Sequence, residues 1–274
     1  MQTPLAQMAA VTCHGNAAVR GMQTPQFFPG NSTCQFCESI TFLVSGKPAG
    51  GESQSAVFAD TPDAWIRDLR RRSLVGFRLR QQPQDRPGFS DRNSSGFVGG
   101  GRLWMIEAVR EGKVSEFWLN KWEVGNRNAP DRRIWRVTYG LYQVMPTPGF
   151  ALRPLGAIID DFRSALKEIR AFAEAHECGN FTRFFDDALR ALDDPQADLG
   201  YHKDLFPQGS LGDNAAAVLK AAQCAWVFGG MGSWNDMSFR DETQKEYERV
   251  SDALFGLLNE SVEAAATSSF PANE

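Results

Sequence analysis

The stretch Arg133-Ile134-Trp135-Arg136-Val137-Thr138-Tyr139-Gly140-Leu141-Tyr142-Gln143-Val144-Met145-Pro146-Thr147-Pro148, with Ile158-Ile159-Asp160-Asp161-Phe162 beyond it, decides the fold class. Up to the proline pair, Trp135, Val137, Tyr139 and Leu141 stand at every second position, the period of a strand with one buried face. Past Pro148, Ile158, Phe162, Leu166, Ile169 and Ala173 recur at every third or fourth position, the period of an amphipathic helix. The switch predicts an α+β protein, in which an N-terminal antiparallel sheet of four to five strands with one helix packs on a C-terminal four-helix region.

Upstream, Ser39 to Ser45 alternates as a strand through Ile40, Phe42 and Val44 before the Gly46-Lys47-Pro48 break. Thr61 can cap a helix that has Pro62 at its first position and Asp63 at the positive end of its dipole. Val75 to Gln81 reads as the next strand, with Val75, Phe77 and Leu79 on one face and Arg78 and Arg80 on the other. Residues 82–101 read as a loop. Arg102 to Arg110 and Lys113 to Trp122 form a hairpin that turns at Glu111-Gly112-Lys113. Downstream, Gly179 can close the first helix and Asn180 cap a second, which carries Phe181, Phe184, Phe185, Ala188 and Leu192. A third runs over about 213–227 and a fourth over about 241–266. The boundaries expected are a disordered extension at 1–35, where no period is visible, a β-rich half at 36–148, a helical half at 149–267 and a frayed tail at 268–274. Met1-Gln2-Thr3-Pro4 recurs as Met22-Gln23-Thr24-Pro25, so either methionine could be the start.

The 274 residues suffice for a full core, and 42% apolar content is that of a globular chain. No run reaches the roughly 18 apolar residues of a membrane span, and the opening residues lack the pattern of a secretory signal, so a cytoplasmic location is expected. Five cysteines fit reduced thiols better than a disulfide framework. Net charge is −4, but the halves differ. Residues 1–150 hold 18 Lys and Arg against 12 Asp and Glu, net +6, and residues 151–274 hold 11 against 21, net −10. Either half could attract an oppositely charged partner, or the halves could attract each other.

Several motifs point to chemistry and lack part of what it needs. The glycine runs at 96–101 and 229–232 lack the Lys and Ser/Thr of a phosphate-binding loop. Cys34-Gln35-Phe36-Cys37 has the spacing of half a zinc site without a second half, and it precedes a strand where a redox pair would open a helix. No metal or cofactor is therefore expected. Arg67, Arg70, Arg71, Arg72, Arg78 and Arg80, near Trp104, Trp118, Trp122 and Trp135, supply the residue types of a nucleic-acid surface, yet the chain as a whole is acidic and Arg78 and Arg80 are expected to be solvated. His176, at the end of the apolar stripe of its helix, suits the carbonyl end of the dipole.

Two loops are the strongest site candidates. Gly200-Tyr201-His202-Lys203-Asp204-Leu205 places a base, an acid and a cation within three residues, and Trp226-Val227-Phe228-Gly229-Gly230-Met231-Gly232-Ser233-Trp234-Asn235-Asp236 joins three glycines to an amphipathic tryptophan and an acid. Tyr201, His202, Lys203, Asp204, Trp234, Asn235 and Asp236 are the expected ligand- or partner-binding residues. The alternative for Trp234 is a core plug in a tight interhelical turn. Together with Glu246-Tyr247-Glu248-Arg249-Val250, these segments resemble a set of uncharacterised bacterial proteins over roughly the last 75 residues. That resemblance implies a bacterial origin and no activity.

Two functions are open on this reading. The first is a non-enzymatic protein-binding factor, of immunity type or accessory, whose acidic helical half faces a basic protein; neither nucleic acid nor membrane is an expected partner. The second is an enzyme or small-ligand binder whose site forms where loop 201–204 meets loop 229–236, which requires the two loops to converge on one concave pocket.

Overall fold

The computed structural model describes residues 1–46, 54–84, 90–97, 100–149 and 151–271. It is a mixed α+β structure built on one six-stranded sheet, with seven helices among the described residues. The chain begins with α1 (Thr3–Val19), then β1 (Cys37–Gly46), β2 (Gln54–Ala59), α2 (Pro62–Arg70), β3 (Leu74–Gln82), the single turn α3 (Asp91–Ser94), β4 (Leu103–Arg110), β5 (Val114–Val124) and β6 (Trp135–Pro146). The helices α4 (Leu155–Ala175), α5 (Thr182–Asp193), α6 (Asp213–Cys224) and α7 (Asp241–Thr267) complete it.

Residues 1 to about 35 are not a disordered extension. From Leu5 to Ala17 every residue of α1 is buried. The helix touches β3, β4, α2 and α7. A helix packed on all sides has no polar face, so its sequence carries no period to read. Its small residues, Ala6, Ala9, Ala10 and Gly15, allow close approach; a Cβ on Gly15 would collide with the ring of Phe77. Among the polar residues that burial traps, Gln7 accepts from the Tyr139 hydroxyl at 3.0 Å and Asn16 both donates to the Phe77 carbonyl at 2.8 Å and accepts from its N–H at 2.7 Å.

The sheet runs β2-β1-β6-β5-β4-β3. The antiparallel sheet expected from the sequence is in fact mixed, because β1 and β6 pair in parallel, with Ile40 beside Val137 and Phe42 beside Tyr139. Alternation within a strand shows that a strand exists but says nothing of its neighbour. The inner face stacks Phe42 between Trp65 of α2 and Tyr139, with Trp118 edge-on to Phe42 and Trp65. Thr61 caps α2 by accepting from Ala64 N at 3.1 Å, and the hairpin turns through positive φ at Gly112 and Lys113.

The free edge of β3 is closed by side chains. Asn16 meets Phe77, Thr267 meets both backbone groups of Leu79 at 3.1 Å, and Glu263 accepts from Gln81 N at 3.3 Å. These bonds do for an edge what a seventh strand would do. On the outer face, Arg78 and Arg80 are not solvated: they converge at 3.7 and 3.2 Å on the fully buried Glu107. The start of the tail does not fray. Asn16 donates to Ser269 Oγ at 2.7 Å, and Arg78 lies 4.6 Å over the ring of Phe270.

Opposite charge joins the halves locally: the carboxylate of Glu263 lies in the fields of Arg80 and Arg102. An ion pair also crosses residue 150, Arg92 with Asp252 at 2.6 Å. Other acids of the helical half pair within it, as in Arg249 with Glu168 at 2.8 Å.

Candidate functional site

Loop 201–204 is anchored from four directions. The Asp204 carbonyl accepts from His14 Nε2 at 2.9 Å and from Asn31 Nδ2 at 2.8 Å. Its carboxylate accepts from Ser32 N at 2.8 Å and also from the Ser32 hydroxyl. Gln223 of α6 clasps the backbone of His202, accepting from its N–H at 2.8 Å and donating to its carbonyl at 3.3 Å. Gly200 stands at φ +84°, where a Cβ would also press on the Gln223 amide. Asn31 is itself oriented by capping a 3-10 turn at Ser32–Cys34, where it accepts from Thr33 N at 3.0 Å.

The imidazole of His202 is buried, and its Nδ1 lies 2.8 Å from Ser32 Oγ. A carboxylate only accepts, so the Ser32 hydroxyl gives its one proton to Asp204 and its lone pair receives Nδ1–H of His202. This chain of bonds selects the tautomer with a bare Nε2, and nothing among the described residues bonds that nitrogen. Burial holds His202 below the ordinary histidine range, which favours the neutral ring. His14 is lowered for the same reason.

His202 stands at the wall of a cavity of about 940 Å3. Met8 of α1, Cys37 of β1, Trp104 of β4, Leu119 and Trp122 of β5 and Trp135 of β6 form much of its lining. Phe97 and Tyr201, 70% and 71% exposed, also line it, and Arg102 and Lys121 contribute cations. The two glycine runs meet at its edge. Gly96 packs on Gly229 so closely that a Cβ at Gly96 would collide with the Gly229 backbone. No phosphate cradle is needed to account for glycine at Gly96, since backbone contact between two distant loops requires it.

The two candidate loops therefore meet at one cavity, through Tyr201 and His202 on one side and Gly229 and Gly230 on the other. The remaining predicted residues do not line it. Lys203 forms an exposed pair with Asp198 at 2.7 Å, and Asp204 is spent on Ser32. Trp234 is fully buried among Phe172, Phe181, Phe185 and Tyr247, its Nε1 donating to Ser251 Oγ at 2.7 Å, so it is a core plug and cannot meet a partner. Asn235 ties this loop to α3 through the Arg92 carbonyl at 3.0 Å, and Asp236 accepts from Gly232 N within its own turn.

Sequence reading missed Asn31 and Ser32, which fell in the stretch taken for disorder, and Gln223, which looks like any polar position on a helix. His176 packs between Phe172 and Phe239 at the end of α4. Cys34 and Cys37 are buried thiols pushed up by burial to about 12 and about 11, too protonated at neutral pH for ready attack. Among the described residues no cluster of His, Cys, Asp and Glu could hold a metal, and no helix is long and apolar enough to cross a membrane. No protein-family model, curated protein or solved structure matches the chain.

Proposed function

We propose that this protein binds a small, flat, largely apolar molecule in the cavity between the sheet and loops 201–202 and 229–230. The observation that carries the reading is the cavity itself: about 940 Å3, in the range of small-molecule sites, walled by Trp104, Trp122 and Trp135, with one oriented histidine among its polar groups. Aromatic walls favour flat partners, through buried area and ring stacking. The test is titration with 2-methoxynaphthalene, followed by tryptophan fluorescence. One-to-one saturation is expected, and Trp104→Ala should weaken it about tenfold, roughly 1.4 kcal/mol of stacking and buried area. Equal affinity in the variant, or no saturable binding of this probe or of its hydroxyl- or ring-N–H-bearing analogues, overturns the reading.

A second reading, non-enzymatic binding of a basic protein, is favoured by the charge split. The −10 balance of residues 151–274 exceeds what the Arg92 to Asp252 pair and the fields of Arg80 and Arg102 on Glu263 offset, so that half presents a net negative field to a partner. Co-purification at low salt should then recover a basic protein that elutes as salt is raised, and recovery of the chain alone sinks this reading.

A further inference from the structure

The cavity's histidine sets which functional group its ligand must carry. Three observations bear on this. The Ser32 hydroxyl contacts both Asp204 and His202 Nδ1, which commits its proton to the carboxylate and commits the Nδ1 proton of His202 to the serine. Gln223 fixes the backbone from which the imidazole projects, and the Tyr201 and His202 rings meet near-perpendicularly with centroids 4.8 Å apart. Finally, His202 lines the cavity, and its Nε2 neither bonds to any described residue nor is sealed from solvent as a buried atom without a partner.

We infer that the cavity takes an aromatic molecule bearing a hydrogen-bond donor, a phenol-type hydroxyl or a ring N–H, which His202 Nε2 accepts. The inference rests on the cavity reading above and adds the chemical class. A neutral imidazole with Nδ1–H is an acceptor of fixed direction, because rotation or tautomer exchange would break the bond to Ser32. The arrangement discriminates between ligands. A molecule with a donor there gains a bond, while one with an ether or N-methyl group at the same point leaves Nε2 desolvated and unpaired. The low proton affinity that burial gives His202 keeps the acceptor available at neutral pH.

The experiment compares 2-naphthol with 2-methoxynaphthalene, and indole with 1-methylindole, by tryptophan fluorescence or, where the probe's own emission interferes, by calorimetry. The donor-bearing member of each pair should bind about tenfold tighter, and His202→Phe should abolish that preference. Two-bond proton–nitrogen spectra of the unsubstituted protein supply a readout that needs no variant. They should show His202 protonated at Nδ1, and Ser32→Ala should remove that preference. Equal affinity within both pairs, or a proton on Nε2, overturns the assignment while leaving the cavity reading intact. Failure of all four probes to bind overturns the cavity reading itself.

Discussion

A chain that begins at Met22 is expected to show no cooperative unfolding transition, although it keeps every strand and six of the seven described helices. Deleting α1 removes the buried side chains of Leu5, Met8 and Val11 and four buried alanines, on the order of 10 kcal/mol of apolar burial. That matches the whole stability of a typical domain, about 5–15 kcal/mol. The deletion also strips Asn16 from the edge of β3, leaving the Phe77 N–H and carbonyl unpaired, and Gln7 from the buried hydroxyl of Tyr139. Urea titration followed by circular dichroism checks it: a broad, sloping signal is expected, and a sharp transition near that of the full chain would show that α1 is dispensable. Adding a peptide of residues 1–21 in trans should restore a transition.

Trp234→Ala should cost about 4 kcal/mol of stability and leave the affinity for 2-methoxynaphthalene within twofold of the unsubstituted protein. The indole is fully buried and touches Phe172, Phe181, Phe185 and Tyr247, so truncation leaves a void that four rings cannot close, and it orphans the Ser251 hydroxyl. Tyr247 also donates to the Trp234 carbonyl at 2.7 Å, which fixes the loop from beneath. A binding role for this tryptophan predicts the reverse: a small change in the denaturation midpoint and a large loss of probe affinity. Measuring both quantities on one variant separates the core role from a surface role.

Trp234 shows how an unusual sequence can mislead. A tryptophan after three glycines draws attention because glycine frees the backbone, and here that freedom serves the turn between α6 and α7. His202 stood out for its polar neighbours, and it does line the cavity, yet two of those neighbours do other work: Asp204 orients Ser32, and Lys203 pairs with Asp198. Adjacency in sequence singled out a loop that lines the cavity without ranking its residues. The hydroxyl that meets His202 Nδ1 belongs to Ser32, 170 positions away along the chain.

Hydrophobic period located β1, β3 and β6 and the helices α4, α5 and α7, because the large apolar side chains of each gather on one face and that writes a rhythm into the residues. Tertiary structure alone decided other features. A helix enclosed on every side, as α1 is, has no rhythm, and the parallel pairing of β1 with β6 depends on contacts between segments nearly 100 residues apart. The cavity is of the same kind. Gly96 against Gly229, and Ser32 between His202 and Asp204, are neighbours only because the core of α1 and the sheet brings their loops to one edge.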